Sequence, residues 1–454
     1  MEFDSVMSSR MLTTLTLAFH IIFATIGVGV PVMISIAEFI GIKKNDFHYV
    51  LLARRWTRGF TITVAVGVVT GTCIGLQLSL LWPSFMKIAG QAIGLPLFME
   101  TFAFFFEAIF LGIYLYTWDR FKKPIYHWLL SIPVIIGSSL SAFFITAVNA
   151  FMNTPQGFEL VDGTIKTVDP IQAMFNPATP TKTFHVLVTA YLASAFVLAA
   201  IAAFQLLKGK RSQYTKKALR LTVSTAFIFA ILTGIAGDLS AKFLAEYQPE
   251  KLAALEWHFE TEKGADLILF GTLDEESEEV EYAIHLPKML SFLSFSNVNA
   301  EVTGLNEFAQ EETPPLYIHY LFDIKISFAM FMTLISFLFV LFSKWRKNLI
   351  YENWMLTAIV LCGPISIISI ELGWILAEVG RQPWILRGYM KVSEAATTAG
   401  GVGAMFWLFL SLYILLAIIT VTVLRNMFKN NPAEVELEYR FAEAEMEYRF
   451  KGYR

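Results

Sequence analysis

The sequence predicts an all-α polytopic membrane protein of about nine transmembrane helices, its N-terminus outside and its C-terminus in the cytoplasm. Of 454 residues, 56% are hydrophobic and only 16% charged, whereas soluble domains carry about a quarter charged residues. Mean hydropathy is +0.56. Apolar runs of the roughly 20 residues needed to cross a hydrocarbon core fall near 11–41, 59–82, 95–117, 127–151, 183–207, 219–245, 317–343, 352–379 and 401–425. Their connections alternate in basicity. The stretches 42–58, 118–126, 208–220, 343–352 and 425–454 together hold 23 Lys plus Arg, against 10 in the opposite set with the N-terminus. The positive-inside rule then fixes the orientation. Four parts follow: a six-helix membrane part (1–245), an extracytoplasmic loop (246–316), a three-helix membrane part (317–425) and a cytoplasmic tail (426–454).

The first helix carries His20 about ten residues in, roughly 15 Å along the axis. No basic region with a short apolar run and a small-residue cleavage site precedes it, so no removable signal peptide is expected. A lone His in such a helix is more often a bonded core residue than a ligand. The third helix holds Glu100 and Glu107, seven residues apart on one face, with Thr-Phe-Ala-Phe-Phe-Phe between them. Two carboxylates in aromatic surroundings are suited to hold and pass protons near a reaction centre. His185 begins the fifth helix, after Pro180. Residues 246–316 carry 16 Asp plus Glu against 3 Lys. The run Asp274–Glu279 within them reads as a solvated, mobile face, and Lys251 and Glu256 as an ordinary surface pair. Glu378, at the outer end of the eighth helix, is costly in lipid unless it binds something, because intramembrane ionisable groups are functional candidates by default. With the N-terminus outside, His20, Glu100, Glu107, His185 and Glu378 are all expected at one level of the outer membrane half. His48, His127, His258, His285 and His319 lie in loops or at helix ends and are assigned no role. Cys73 and Cys362 sit in apolar segments without metal or disulfide spacing. The tail repeats Glu-Tyr-Arg-Phe at 438–441 and 447–450, a pattern that suits a solvated helix.

Residues 373–384, Gly-Trp-Ile-Leu-Ala-Glu-Val-Gly-Arg-Gln-Pro-Trp, resemble a signature of subunit I of the cytochrome bd-type quinol oxidases. The first helix, the acidic pair, 137–142 through Asn149, 152–155, His185 and the 247–256 loop extend the likeness over most of the chain. The resemblance implies two haem b and one haem d, or a third haem b, with His20, His185 and Glu378 as iron ligands. It places quinol at Lys251 and Glu256, makes Glu100 and Glu107 active-site or proton-route carboxylates, and gives Arg10, Trp374 and Arg381 supporting positions around haem. It also implies a second multi-helix subunit, a small single-helix subunit as a further candidate, dioxygen and membrane quinol as substrates, and a prokaryotic inner-membrane location. No nucleic-acid partner is expected.

The chain departs from the family at one place. The family's methionine ligand, in a Phe-Arg-x-Met setting, is matched here by Phe322-Asp323-Ile324-Lys325. Either a neutral Lys325 ligates iron, or Lys325 and Asp323 neutralise each other. Two further function classes stand beside a terminal oxidase. One is a bd-like haem protein with altered or lost quinol oxidation. The other is a cofactor-free proton-coupled transporter, which neither repeated halves nor paired broken helices support.

Overall fold

A computed structural model describes residues 4–161 and 164–439. Among these, nine helices are long and apolar enough to cross a membrane. The order is α1 (Ser5–Lys44), α2 (Phe47–Leu81), α3 (Pro83–Tyr116), a short α4 (Pro124–Leu129) leading into α5 (Ser131–Asn153), then a β1–β2 hairpin (Phe158–Val161, Thr164–Val168) and α6 (Pro170–Met174). Next come α7 (Thr179–Leu207), α8 (Gln213–Tyr247) and α9 (Pro249–Glu256). The loop continues with β3 (Glu262–Lys263), β4 (Leu267–Leu269), β5 (Thr272–Asp274), β6 (Glu279–Glu281), β7 (Ile284–Leu286), α10 (Met289–Phe295) and β8 (Glu301–Val302). The chain closes with α11 (Ile318–Trp345), α12 (Asn353–Val379), β9 (Trp384–Leu386), β10 (Met390–Lys391), α13 (Val392–Ala395) and α14 (Val402–Asn430). The helices start and stop where local chemistry dictates. Asp4 and Ser212 cap α1 and α8 by accepting backbone N–H bonds. Pro83, Pro124 and Pro249 open α3, α4 and α9 at first-turn positions that need no donor.

The main core joins α1, α2, α7, α8, α11 and α12 through Val30, Leu51, Phe196, Leu219, Phe339 and Leu356, all buried. Small residues set the closest approaches, as expected where helices pack in lipid. A methyl group at Gly137 would stand 2.8 Å from Glu107 Cβ, so glycine there lets α5 meet α3. A methyl at Gly29 would stand 2.5 Å from the Ala190 carbonyl, which locks α1 onto α7.

These contacts serve as rulers. His20 lies nine residues before Gly29, and His185 nine before Ser194, which Gly29 touches. On α12, Gly363 abuts Ala200, and Glu378 lies 15 residues beyond it while His185 lies 15 before Ala200. His20, His185 and Glu378 therefore share a level. Glu100 and Glu107 do not, which corrects the expectation of one common depth. On α5, Asn149 bonds Glu378, Ser141 bonds Glu100 and Gly137 packs on Glu107. At 1.5 Å per residue, the two α3 carboxylates lie about 12 Å and about 18 Å further into the bundle. Helix α3 runs seven turns or more, and its acidic pair sits on the later half.

Residues 246–316 fold rather than trail. Pairs β3–β8, β4–β7 and β5–β6 are antiparallel, and Leu252, Ala265, Leu267, Leu290 and Val302 make a small core beneath them. The acidic run occupies the exposed β5–β6 turn. At the opposite end of the bundle, Arg55 on α2 donates to the Asn431 carbonyl at 2.5 Å and to Glu436, which anchors the start of the tail. The Glu-Tyr-Arg-Phe repeat falls outside the described residues, save for 438 and 439.

Candidate functional site

The two helix-borne histidines have their tautomers set by neighbouring hydroxyls. Thr70 Oγ1 donates to the Val66 carbonyl at 2.9 Å, one turn back in α2. Its remaining lone pair then accepts from His20 Nδ1 at 2.9 Å. Ser240 Oγ, in the same way, donates to the Ala236 carbonyl at 2.7 Å and faces His185 Nδ1 at 3.4 Å. With the proton on Nδ1, each ring presents its Nε2 lone pair, and no hydrogen bond among the described residues uses it. A metal-ligating histidine is arranged like this, its other nitrogen committed to an orienting group. Thr70 and Ser240 were not legible in sequence, since a hydroxyl bonded to its own helix carries no local signal.

Glu378 stands at the same level. Its two oxygens accept from Asn149 Nδ2 at 2.5 Å and from Arg381 at 2.6 Å. Arg381 is buried and also donates to the Trp384 carbonyl at 3.3 Å. Lys182 Nζ donates to Asn149 Oδ1 at 3.1 Å, and Lys251 Nζ lies against Gly380. Three cations, Lys182, Lys251 and Arg381, thus surround one carboxylate, within electrostatic reach of one another. Such a surplus suits anionic groups, and a haem's propionates have that chemistry. Among the described residues no group of three or more His, Cys, Asp or Glu converges to hold a bare metal ion. A macrocycle needs only one or two protein ligands per iron, so the lone Nε2 atoms and the cation surplus fit haem.

Lys251 and Glu256 are not a surface pair, as both are buried in α9. They face different neighbours. Burial first, and then the Arg381 guanidinium, bring Lys251 down to about 8. Burial, seconded by the Asp323 carboxylate, pushes Glu256 up to about 8. Glu256 Oε2, Asp323 Oδ1 and His319 Nε2 are buried with no hydrogen-bond partner among the described residues. His319 lies stacked on Trp257, ring centroids 3.8 Å apart, and its Nδ1 meets Leu255 O over 2.6 Å; a carbonyl only accepts, so Nδ1 is the donor.

No ion pair joins Lys325 to Asp323. Asp323 Oδ2 instead accepts from the Phe270 N–H at 2.5 Å and lies 3.2 Å from His319 Nε2. The side chain of Lys325 runs along Gly373 on α12, where a methyl would stand 3.7 Å from Nζ, and comes within electrostatic reach of His185. Residues 323 and 325 point apart because two steps on a helix turn about 200°. Trp374 is half-buried one turn before Glu378. Arg10 is exposed, and among the described residues it makes no ion pair.

The fold and this grouping define a membrane-embedded haem oxidoreductase subunit. The model of the cytochrome bd terminal oxidase subunit I family matches residues 8–432, and the chain belongs to that family. It is 40% identical to the putative cytochrome bd menaquinol oxidase subunit I of Bacillus subtilis over 438 residues, covering 96% of this chain and 99% of that protein. Identity to the cytochrome bd ubiquinol oxidase subunit 1 of the same organism is 31%, over 85% of each chain. The solved structure of the bd oxidase from Geobacillus thermodenitrificans superposes with a TM-score of 0.91 at 63% identity, covering 95% of this chain and 99% of that one. The chain is accordingly a multi-pass membrane oxidoreductase subunit of the respiratory type, one that works with haem and a quinol substrate and pairs with a subunit II.

Proposed function

We propose that this chain carries out quinol oxidation and dioxygen reduction in a prokaryotic inner membrane: two quinols and one O2 give two quinones and two waters. The observation that carries this is the pair of committed histidine tautomers at the level of Glu378. His20, His185 and Glu378 would hold two haem b and one haem d, or a third haem b, with Lys325 as a further candidate ligand to the haem at His185. Bound haem supplies one-electron transfer and a dioxygen-reducing iron. Lys182 and Arg381 offset its propionate charge, and Asn149 holds the Glu378 carboxylate in place. Trp374 packs beside the same group, and Arg10 stays near the aqueous rim of α1. A second multi-helix subunit completes the complex, with a small single-helix subunit as a further candidate.

Quinol docks at α9, where Lys251 donates to a quinol oxygen and Glu256 takes a hydroxyl proton. Both residues are retained and buried, which favours quinol oxidation over a haem protein that has lost it. The connections rich in Lys and Arg lie at the end away from this loop, so the loop faces outward and quinol protons leave on the outside. Protons for water formation come from the other side through Glu107 and Glu100, and the reaction then contributes to a proton motive force. A reduced-minus-oxidised spectrum of the purified two-subunit complex, with quinol-dependent oxygen uptake, tests the whole assignment. A colourless protein would sink it.

Two narrower results are expected. A base works only when ionised, and Glu256 ionises as pH rises through about 8. Turnover should therefore climb across that range. In Glu256→Gln the climb should vanish, with the haem spectrum unchanged; a persisting climb would exclude Glu256 as the base. Glu107→Gln should cut turnover by about a hundredfold at full haem content, the loss typical of a removed proton carrier. Equal loss of haem and activity would make Glu107 a ligand or structural group instead.

A further inference from the structure

A second polar cluster lies deep in the protein, at the end of the bundle away from the α9 loop. Glu38 near the end of α1, Tyr114 near the end of α3 and His127 on α4 are each less than 5% exposed. Glu38 Oε2 accepts from the Tyr114 hydroxyl at 2.5 Å, and Glu38 Oε1 meets His127 Nδ1 at 2.6 Å. His127 Nε2 meets the Tyr114 backbone carbonyl at 2.9 Å.

The geometry fixes the proton count. A carbonyl only accepts, so Nε2 carries a hydrogen. Nδ1 faces a carboxylate oxygen, so either it carries a second hydrogen or Glu38 is the acid and donates to it. In both cases the pair holds one proton more than a neutral imidazole beside an ionised carboxylate.

The neighbours let this proton leave and return. The polar groups around the pair include the Tyr114 hydroxyl on α3, Thr57 and Arg54 on α2, which act on that hydroxyl, Asp119 in the α3–α4 connection, which pairs with Arg54, and the bonded Ser35 and Ser131 hydroxyls on α1 and α5. The Arg54 guanidinium lies 4.7 Å over the Trp118 ring, which packs on His127 with centroids 4.1 Å apart, and it is paired with Asp119. The Tyr114 hydroxyl would steady the Glu38 carboxylate once the proton has gone. Residues 119–124, directly above His127, are exposed, so the aqueous face is one layer away.

In the other direction, Tyr114, Glu107 and Glu100 follow at intervals of seven residues on one face of α3, about 10 Å per step. Among the described residues the Glu107 side chain makes no hydrogen bond. A narrow gap lined by Pro31, Ile34, Phe60, Leu111, Tyr114, Ser131 and Val134 lies along the first step.

We infer that Glu38 and His127 form the proton-loading site of this enzyme, drawing protons from the basic-loop side and passing them to Glu107. The step breaks one N–H or O–H bond at the pair and makes one O–H bond on water and then on Glu107; an aqueous proton refills the pair, and no electrons move. The inference rests on the proposed part of Glu107 in proton delivery.

The test uses the purified two-subunit complex in three variants, His127→Gln, Glu38→Gln and Glu107→Gln. For the first two, turnover should fall about tenfold with unchanged haem spectrum and unchanged quinol KM. Infrared difference spectra of the wild type between acid and alkaline pH should show either a carboxylic-acid carbonyl signal that Glu38→Gln removes or an imidazolium ring signal that His127→Gln removes. Slowed turnover in Glu107→Gln with normal turnover in the other two would overturn the loading site alone. Normal turnover in Glu107→Gln would overturn the underlying route. If His127→Gln fails to assemble, the infrared signals decide, and the absence of both from the wild type would overturn the inference.

Discussion

Glu378→Ala is expected to abolish quinol-dependent oxygen consumption, lowering it by on the order of a thousandfold, as loss of a preorganised charged group at a reaction centre does. The side chain is the acceptor for both Asn149 and Arg381. Alanine removes a candidate iron ligand and also leaves Lys182, Lys251 and Arg381 with no carboxylate among them. Breaking a buried pair by deleting one partner costs about 3–5 kcal/mol. The Glu378 side chain is 35% exposed against 3% for Arg381, so water offsets part of that and a loss of about 1–3 kcal/mol is expected instead. The complex should thus assemble, and the defect should appear as loss of one haem's absorption together with oxygen uptake. Glu378→Gln separates the two contributions. It keeps the hydrogen bond from Arg381 but removes the charge, so stability should recover while activity does not. Full turnover with unaltered haem content in Glu378→Ala would reject the assignment.

Spans, and the choice of candidate residues for the site, rest on local rules that the sequence displays. An apolar run of sufficient length has one outcome in lipid, and Glu378 in its Gly-Arg-Gln-Pro-Trp setting stands out by chemistry alone. Depth was not legible. Counting residues from the ends of apolar runs put Glu107 level with Glu378, but α3 begins at Pro83, well before the apolar run near 95. Only the contacts with α5 reveal the offset. The same holds for partners brought from afar. Glu38 and His127 are 89 residues apart, and each taken alone looks like an ordinary helix-end residue. Lys251 and Glu256, five residues apart in one short helix, read as a surface pair because nothing local shows that α12 and α11 cover them. Fold class follows from composition and period; a buried cluster depends on which helices meet.

Lys325→Met is expected to raise the reduction potential of the haem proposed at His185, by on the order of 100 mV within the range of about 0.8 V that axial ligands span. Thioether sulfur stabilises ferrous iron relative to a harder amine nitrogen, and a His/Met pair accordingly lies high. Two observations favour lysine as that ligand over lysine as a counter-ion. Asp323, the counter-ion the sequence offers, is turned to the Phe270 N–H and toward His319. Lys325 is turned the other way, along the bare backbone of Gly373 and toward His185. The glycine leaves the room a long side chain needs to lie flat on α12. Methionine has nearly the same length and volume as the lysine stem, so the substitution should cost little in packing. It should also strand no carboxylate, because Asp323 keeps its partners. Thermal unfolding of the variant should match the wild type within about 2 °C, the shift from a few tenths of a kcal/mol in a chain this large. Redox titration then separates the two roles. A raised potential with unchanged stability supports an amine on iron, whereas an unchanged potential rejects it and leaves Lys325 as a cation beside the haem edge.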